Sequence, residues 1–131
     1  MRILLADDQS RVRFALRVLL ERQPGLEVAG EAVDADDLFI QVEATCPDLV
    51  LLGWELPGLA ATHSLSALHR ACPDLRVIAL SGRPEARRAA LSAGVNAFVS
   101  KTDPPERLLA AISKCNTRRK EAHPNVVRAS L

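Results

Sequence analysis

The residues best suited to do chemistry in this chain are Asp7, Asp8, Ser81 and Lys101. Two adjacent carboxylates offer oxygen ligands to a hard cation such as Mg2+, which keeps several waters and takes few protein ligands. A lysine ammonium and a serine hydroxyl opposite them would hold two oxygens of a phosphoryl group. Such a set needs a nucleophile between the cation and the lysine. The stretch LVLLGWELPG, residues 49–58, is where one is expected, yet its apolar run ends on Gly53. Taken singly, each polar residue has a plainer explanation. The aspartates suit a solvated turn at the start of a helix, where negative charge favours the dipole. Ser81 suits a turn, and Lys101 a surface position. Taken together they follow three separate apolar runs, a placement that favours a site over coincidence.

The elements that must position these residues are legible in a repeat. QPGLEVAG, CPDLVLLG and CPDLRVIALSG each follow a helix-like stretch and lead into a strand. Proline cannot continue a helix and often stands just beyond its end, so the unit reads helix, stop, strand. That alternation specifies a parallel sheet covered by helices, an α/β fold. The pattern predicts strands at about 2–6, 27–32, 49–52, 77–80 and 97–100. Helices are predicted at about 10–22, 35–45, 60–71, 84–93 and from 104 to about 114. In the first helix Val12, Ala15, Leu16, Leu19 and Leu20 form an apolar stripe, while Arg13, Arg17 and Glu21 are expected to face water. Asp34 is the expected N-cap of the second helix, Gly94 the stop of the fourth, and Pro104 the opening residue of the fifth. The near-continuous runs ILLA, LVLL and VIAL suit strands buried on both faces, and the mixed EVAGEA suits an edge. In an open parallel sheet, ligands sit outside the carboxyl ends of the strands. Asp7, Asp8, Gly53, Glu55, Ser81 and Lys101 all follow strands in this way.

Composition narrows the function. The chain has 131 residues, enough for one domain with a sizeable core. Net charge is +1, so no overall field argues for nucleic acid, and the short apolar runs do not span a bilayer. The N-terminus reads as a first strand and not as a signal peptide, so a cytoplasmic location is expected. Cys46, Cys72 and Cys115 lack metal-type spacing and are expected to be reduced structural thiols. His63, His69 and His123 show no ligand spacing either. No Gly-rich phosphate loop or Ser-His-Asp ordering argues for an enzyme. Residues 1–117 are expected to form the domain, and 118–131 a tail or the start of a linker.

The sequence resembles the receiver domains of two-component response regulators, in the style of the NarL/FixJ subgroup. The resemblance is carried by ILLADDQSRVRFALRVLLE, VAGEAVDADDL, PDLVLLGWELPG, VIALSG and SAGVNAFVSKTDPPERLLAAI, in that order and spacing. It implies a flavodoxin-like, doubly wound five-stranded sheet of order 2-1-3-4-5. It also implies Asp7, Asp8 and the backbone carbonyl of Glu55 as metal ligands, with Ser81 as switch hydroxyl, Phe98 as switch aromatic and Lys101 as phosphoryl-binding lysine. Members of the subgroup usually carry a C-terminal DNA-binding domain, which this chain does not contain, so the chain alone is not expected to bind DNA.

Gly53 departs from the family. It stands where the phospho-accepting aspartate is expected, and glycine has no side chain to phosphorylate. The pocket charge becomes −1 from Asp7, Asp8 and Lys101, in place of −2, so any Mg2+ site should be weakened and no cofactor is required. Asp8 is the expected new partner of Lys101, and Glu55 is expected to point away. The reading that follows is a phosphorylation-independent module working through protein contacts. Its partners would be a histidine kinase, an output domain or a second copy, with control of transcription as the end. Two alternatives stand beside it: an ordinary receiver with a laboratory replacement at position 53, and a small-ligand-binding protein of flavodoxin-like fold.

Overall fold

The computed structural model describes residues 1–116. Residues 117–131, including most of the expected helix-to-tail transition, lie outside the described residues. The elements run β1 (Arg2–Ala6), α1 (Ser10–Glu21), β2 (Glu27–Ala32), α2 (Ala35–Thr45), β3 (Leu49–Gly53), α3 (Ala61–Ala71), β4 (Arg76–Ser81), α4 (Ala86–Ala93) and β5 (Ala97–Ser100). A final helix, α5, covers residues 105–116. The five strands are parallel and ordered β2-β1-β3-β4-β5, the order that the resemblance implies.

Strand periodicity divides the core. Successive side chains point to opposite faces of a sheet, so alternate residues of β1, β3 and β4 feed two clusters. Leu4, Ala6, Val50, Leu52, Val77 and Ala79 meet Leu38, Val42, Leu65 and Leu68 under α2 and α3. Ile3, Leu5, Leu49, Leu51, Ile78 and Leu80 meet Leu20 of α1 and Leu108 and Ile112 of α5. Full burial of each aliphatic side chain contributes about 1.5–3 kcal/mol relative to exposure. Only strands with cover on both faces can be so continuously apolar.

Local signals fix the ends of elements. Asp34 caps α2, its side chain accepting from the Asp37 N–H at 2.8 Å. Gly94 ends α4 in the left-handed region at φ 111°, where a side chain would be strained. Arg13 and Arg17 do not simply face water, contrary to the helical-wheel expectation. Arg13 Nε lies 2.8 Å from Glu31 Oε1, and Arg17 Nη2 lies 2.7 Å from Glu31 Oε2. A wheel drawn on α1 alone has no knowledge of β2, whose edge supplies this carboxylate. Bonding to Arg17 and then Arg13 outweighs the opposing effect of burial and holds the Glu31 carboxyl below its ordinary range.

The expectation of reduced thiols fails at Cys46 and Cys72. They form a disulfide with Cα atoms 5.8 Å apart. The repeated tetrapeptide CPDL explains it, because Cys46 and Cys72 occupy equivalent positions in consecutive units. Those units enter β3 and β4, which are neighbours in the sheet. Equivalent positions one strand spacing apart fall in the range a disulfide spans.

Candidate functional site

Register builds the site. Ala6 pairs with Leu52, Gly53 with Leu80, and Ser81 with Ser100. The residues just beyond those levels, Asp7 and Lys101, therefore converge beside Gly53. Backbone bonds hold the rim: the Asp7 N–H donates to the Ala32 carbonyl at 3.0 Å, Trp54 to Leu80 at 2.8 Å, and Lys101 to Ser81 at 2.9 Å.

Asp7 is 2% exposed and carries the centre of the pocket. Its Oδ1 accepts from the Gln9 N–H at 2.9 Å, and its carbonyl accepts from Arg13 Nη1 at 2.6 Å. Its Oδ2 lies 2.8 Å from Lys101 Nζ. That oxygen is buried, and its angles to the ammonium fall outside hydrogen-bond geometry, so the contact is an ion pair. The partner of Lys101 is thus Asp7, and the expectation of Asp8 is corrected. Asp8 is exposed, and its carboxylate gains nothing by leaving water for a site where Asp7 already supplies the charge.

Glycine at position 53 makes this arrangement possible. A Cβ there would stand 2.6 Å from Asp7 Oδ2, 3.1 Å from Asp7 Cγ and 3.3 Å from the Ala6 carbonyl oxygen. The Asp7 carboxylate thus occupies volume that any larger residue at position 53 would need. Helix α1 anchors the Asp7 backbone through Arg13, whose Nη1 donates to the Asp7 carbonyl.

A second contact lies beside the first. The buried Ser81 hydroxyl reaches both Glu55 oxygens, at 2.9 and 3.1 Å, and its oxygen accepts from the Arg83 N–H at 3.0 Å. The expectation that Glu55 points away is therefore also corrected. A buried hydroxyl needs partners, and the nearby carboxylate is a strong acceptor. Phe98 is buried in the cluster beneath α2 and α3, and Trp54 packs against the same cluster.

As arranged, the Asp7 carboxylate already has an internal cation as its partner. Asp7 is engaged by Lys101 and Gln9, Asp8 is exposed, and the Glu55 carboxylate is turned to Ser81. Among the described residues no group of three or more His, Cys, Asp or Glu is placed to hold a metal. Sequence reasoning found Asp7, Ser81 and Lys101 but missed the Glu55–Ser81 bond and the anchoring by Arg13. An acidic residue two positions after Gly53 was the available signal for the former.

Comparison with known proteins agrees with the architecture. Residues 3–113 match the family described as response regulator receiver domain. The chain is 32% identical over 111 residues to the uncharacterized transcriptional regulatory protein YhcZ of Bacillus subtilis, covering 83% of this chain and 52% of that protein. It is similar to the crystal structure of a LuxR-family two-component response regulator from Aurantimonas, with TM-score 0.78 and 31% identity. That match covers 86% of this chain and 82% of the other. A receiver domain protein from Clostridium thermocellum gives TM-score 0.80 at 25% identity, covering 92% and 98% of the two chains. The chain spans about half the length of the curated relatives it matches.

Proposed function

The chain belongs to the response regulator receiver domain family, and on that premise we propose that it is a receiver in which Gly53 holds the phospho-acceptor position. It signals through protein contacts without being phosphorylated. One observation carries this reading: the Asp7 carboxylate lies where a side chain at position 53 would begin, and neutralises Lys101. The lysine that would grip a phosphoryl group already has its anion. The carboxylate that would grip Mg2+ already has its cation. Metal and phosphate are both displaced by an internal ion pair.

The switch residues follow the same logic. Ser81 turns to Glu55, and Phe98 lies buried. In the family, phosphate draws the hydroxyl inward and the aromatic follows. Here Glu55 offers Ser81 a resident anion, so the β4–α4 connection is held without a phosphoryl group. A partner biases such a module only through different affinity for its states. We assign that partner to a second copy or to an output domain acting on transcription, in the cytoplasm. No helix among the described residues is long and apolar enough to cross a membrane.

Sedimentation of the chain with and without acetyl phosphate and Mg2+ tests the reading. The distribution of monomer and oligomer should be the same in both. A phosphodonor-driven change in association would contradict it.

A further inference from the structure

The Cys46–Cys72 disulfide has no part in the pocket chemistry, and it lies at the opposite end of β3 from Gly53. Both cysteines close helices. The Cys46 N–H donates to the Val42 carbonyl at 2.8 Å, and the Cys72 N–H to the Leu68 carbonyl at 2.9 Å. Cys46 is the one non-glycine residue among those described with positive φ, at 41°. Glycine or asparagine is the ordinary choice there, so cysteine brings nothing to that helix end except its sulfur.

The two cysteines differ in exposure. Cys46 is exposed, whereas Cys72 is buried in the cluster beneath α2 and α3. A nucleophile from solvent therefore meets Cys46 first. Cys115 sits in the cluster on the other face of the sheet, where it does not compete in exchange. Disulfides in the cytoplasm of mesophiles are mostly transient or redox-sensing, not permanent staples.

The bridge encloses a defined segment. The cysteines are 26 residues apart, and between them lie β3, Gly53, the connection to α3 and α3 itself. Helix α3 is otherwise lightly held. Its N-cap, Ala60, offers no side-chain cap; its buried side chains among those described are Ser64, Leu65 and Leu68, with Ser64 Oγ accepting from the Ala60 N–H and His69 Nε2 3.1 Å from the Leu75 carbonyl oxygen. Strand β3, by contrast, is paired on both sides. Opening the bridge should loosen α3 and leave the sheet intact.

We propose that Cys46 and Cys72 are a reversible two-electron redox couple, opened by a dithiol, that sets how firmly α3 is held. In the opening step a thiolate of the dithiol attacks Cys46 Sγ, the S–S bond breaks, and Cys72 leaves as a thiolate that takes a proton. The second thiol of the reductant then attacks the mixed disulfide. Cys46 is released as a thiol, and the reductant leaves as its own disulfide. This goes beyond the phosphorylation reading and holds whether or not position 53 is inert.

The full chain would be equilibrated in buffers of graded reduced-to-oxidised dithiothreitol ratio, quenched in acid, alkylated under denaturing conditions and weighed intact. Hydrogen exchange of each form would be followed by mass spectrometry. Both forms should coexist at intermediate ratios and differ by two alkyl groups. Peptides of α3 should exchange about tenfold faster in the reduced form, with β1 and β3 unchanged. Cys46→Ser should exchange like the reduced form and ignore dithiol. The proposal is overturned if the bridge never forms, if it opens only after denaturation, or if α3 exchanges equally in both forms. A dithiol response in Cys46→Ser would overturn it as well.

Discussion

Gly53→Ala is the smallest change that challenges the pocket, because it adds only the atom whose place Asp7 has taken. The new Cβ would lie 2.6 Å from Asp7 Oδ2, closer than such contacts occur, so the carboxylate must move. Movement draws it off Lys101, 2.8 Å away, and off the Gln9 N–H, 2.9 Å away. Removing one partner of a buried pair costs about 3–5 kcal/mol. A displaced pair with a lysine that is 22% exposed should lose a fraction of that, about 1–2 kcal/mol. In the absence of the clash, replacing glycine within a strand gains about 0.5–1 kcal/mol. Placing Gly53→Ala in an Asp7→Ala background removes the obstructing carboxylate, so the same substitution should become neutral or stabilising. The coupling between the two sites is then about 2 kcal/mol. Urea unfolding followed by the fluorescence of Trp54, the single tryptophan of the chain, measures all four corners of the cycle. Equal cost of Gly53→Ala in both backgrounds would refute the claim that Asp7 fills the position.

Three further outcomes are expected. Ser81→Ala should lose about 1–2 kcal/mol, because the Arg83 N–H loses its acceptor and Glu55 its donor, and Trp54 emission should shift as the adjoining connection loosens. Lys101→Met should cost about 3 kcal/mol at neutral pH, read by urea unfolding, since it leaves the Asp7 carboxylate buried without its cation. Glu31 titrates below its ordinary 4.5 because Arg17 and Arg13 bond its charged form. Its contribution is therefore full above about pH 4.5 and lost as pH falls through the lower folded value, so Glu31→Gln should be less stable than the parent at pH 7, with the difference shrinking as pH falls below 4.5, by thermal unfolding across pH.

Most element ends were legible because they depend on local signals and period, whereas the strand order came from the family resemblance alone. Continuous apolar runs declare β1, β3 and β4 as doubly covered, and Asp34 and Gly94 declare helix ends. Convergence of Asp7, Ser81 and Lys101 was legible from the rule that residues after parallel strands share one edge. What was not legible depends on volume and on tertiary choice. Whether Asp7 or Asp8 meets Lys101 turns on the space vacated at Gly53, which sequence spacing does not measure. The Glu31 contacts need the position of β2 relative to α1. The disulfide was the avoidable miss: the CPDL repeat was visible, and the neighbouring strands it enters were already expected to be adjacent.

The central claim is that this receiver accepts no phosphate, and direct phosphorylation tests it most sharply. The chain would be incubated with acetyl phosphate and Mg2+, then weighed intact at acid pH, where acyl phosphates survive. An unchanged mass is expected, since Gly53 offers no nucleophile and Lys101 is already paired with Asp7. A stoichiometric, base-labile phosphoryl adduct, mapped by peptide analysis to Asp8 or Glu55, would contradict it.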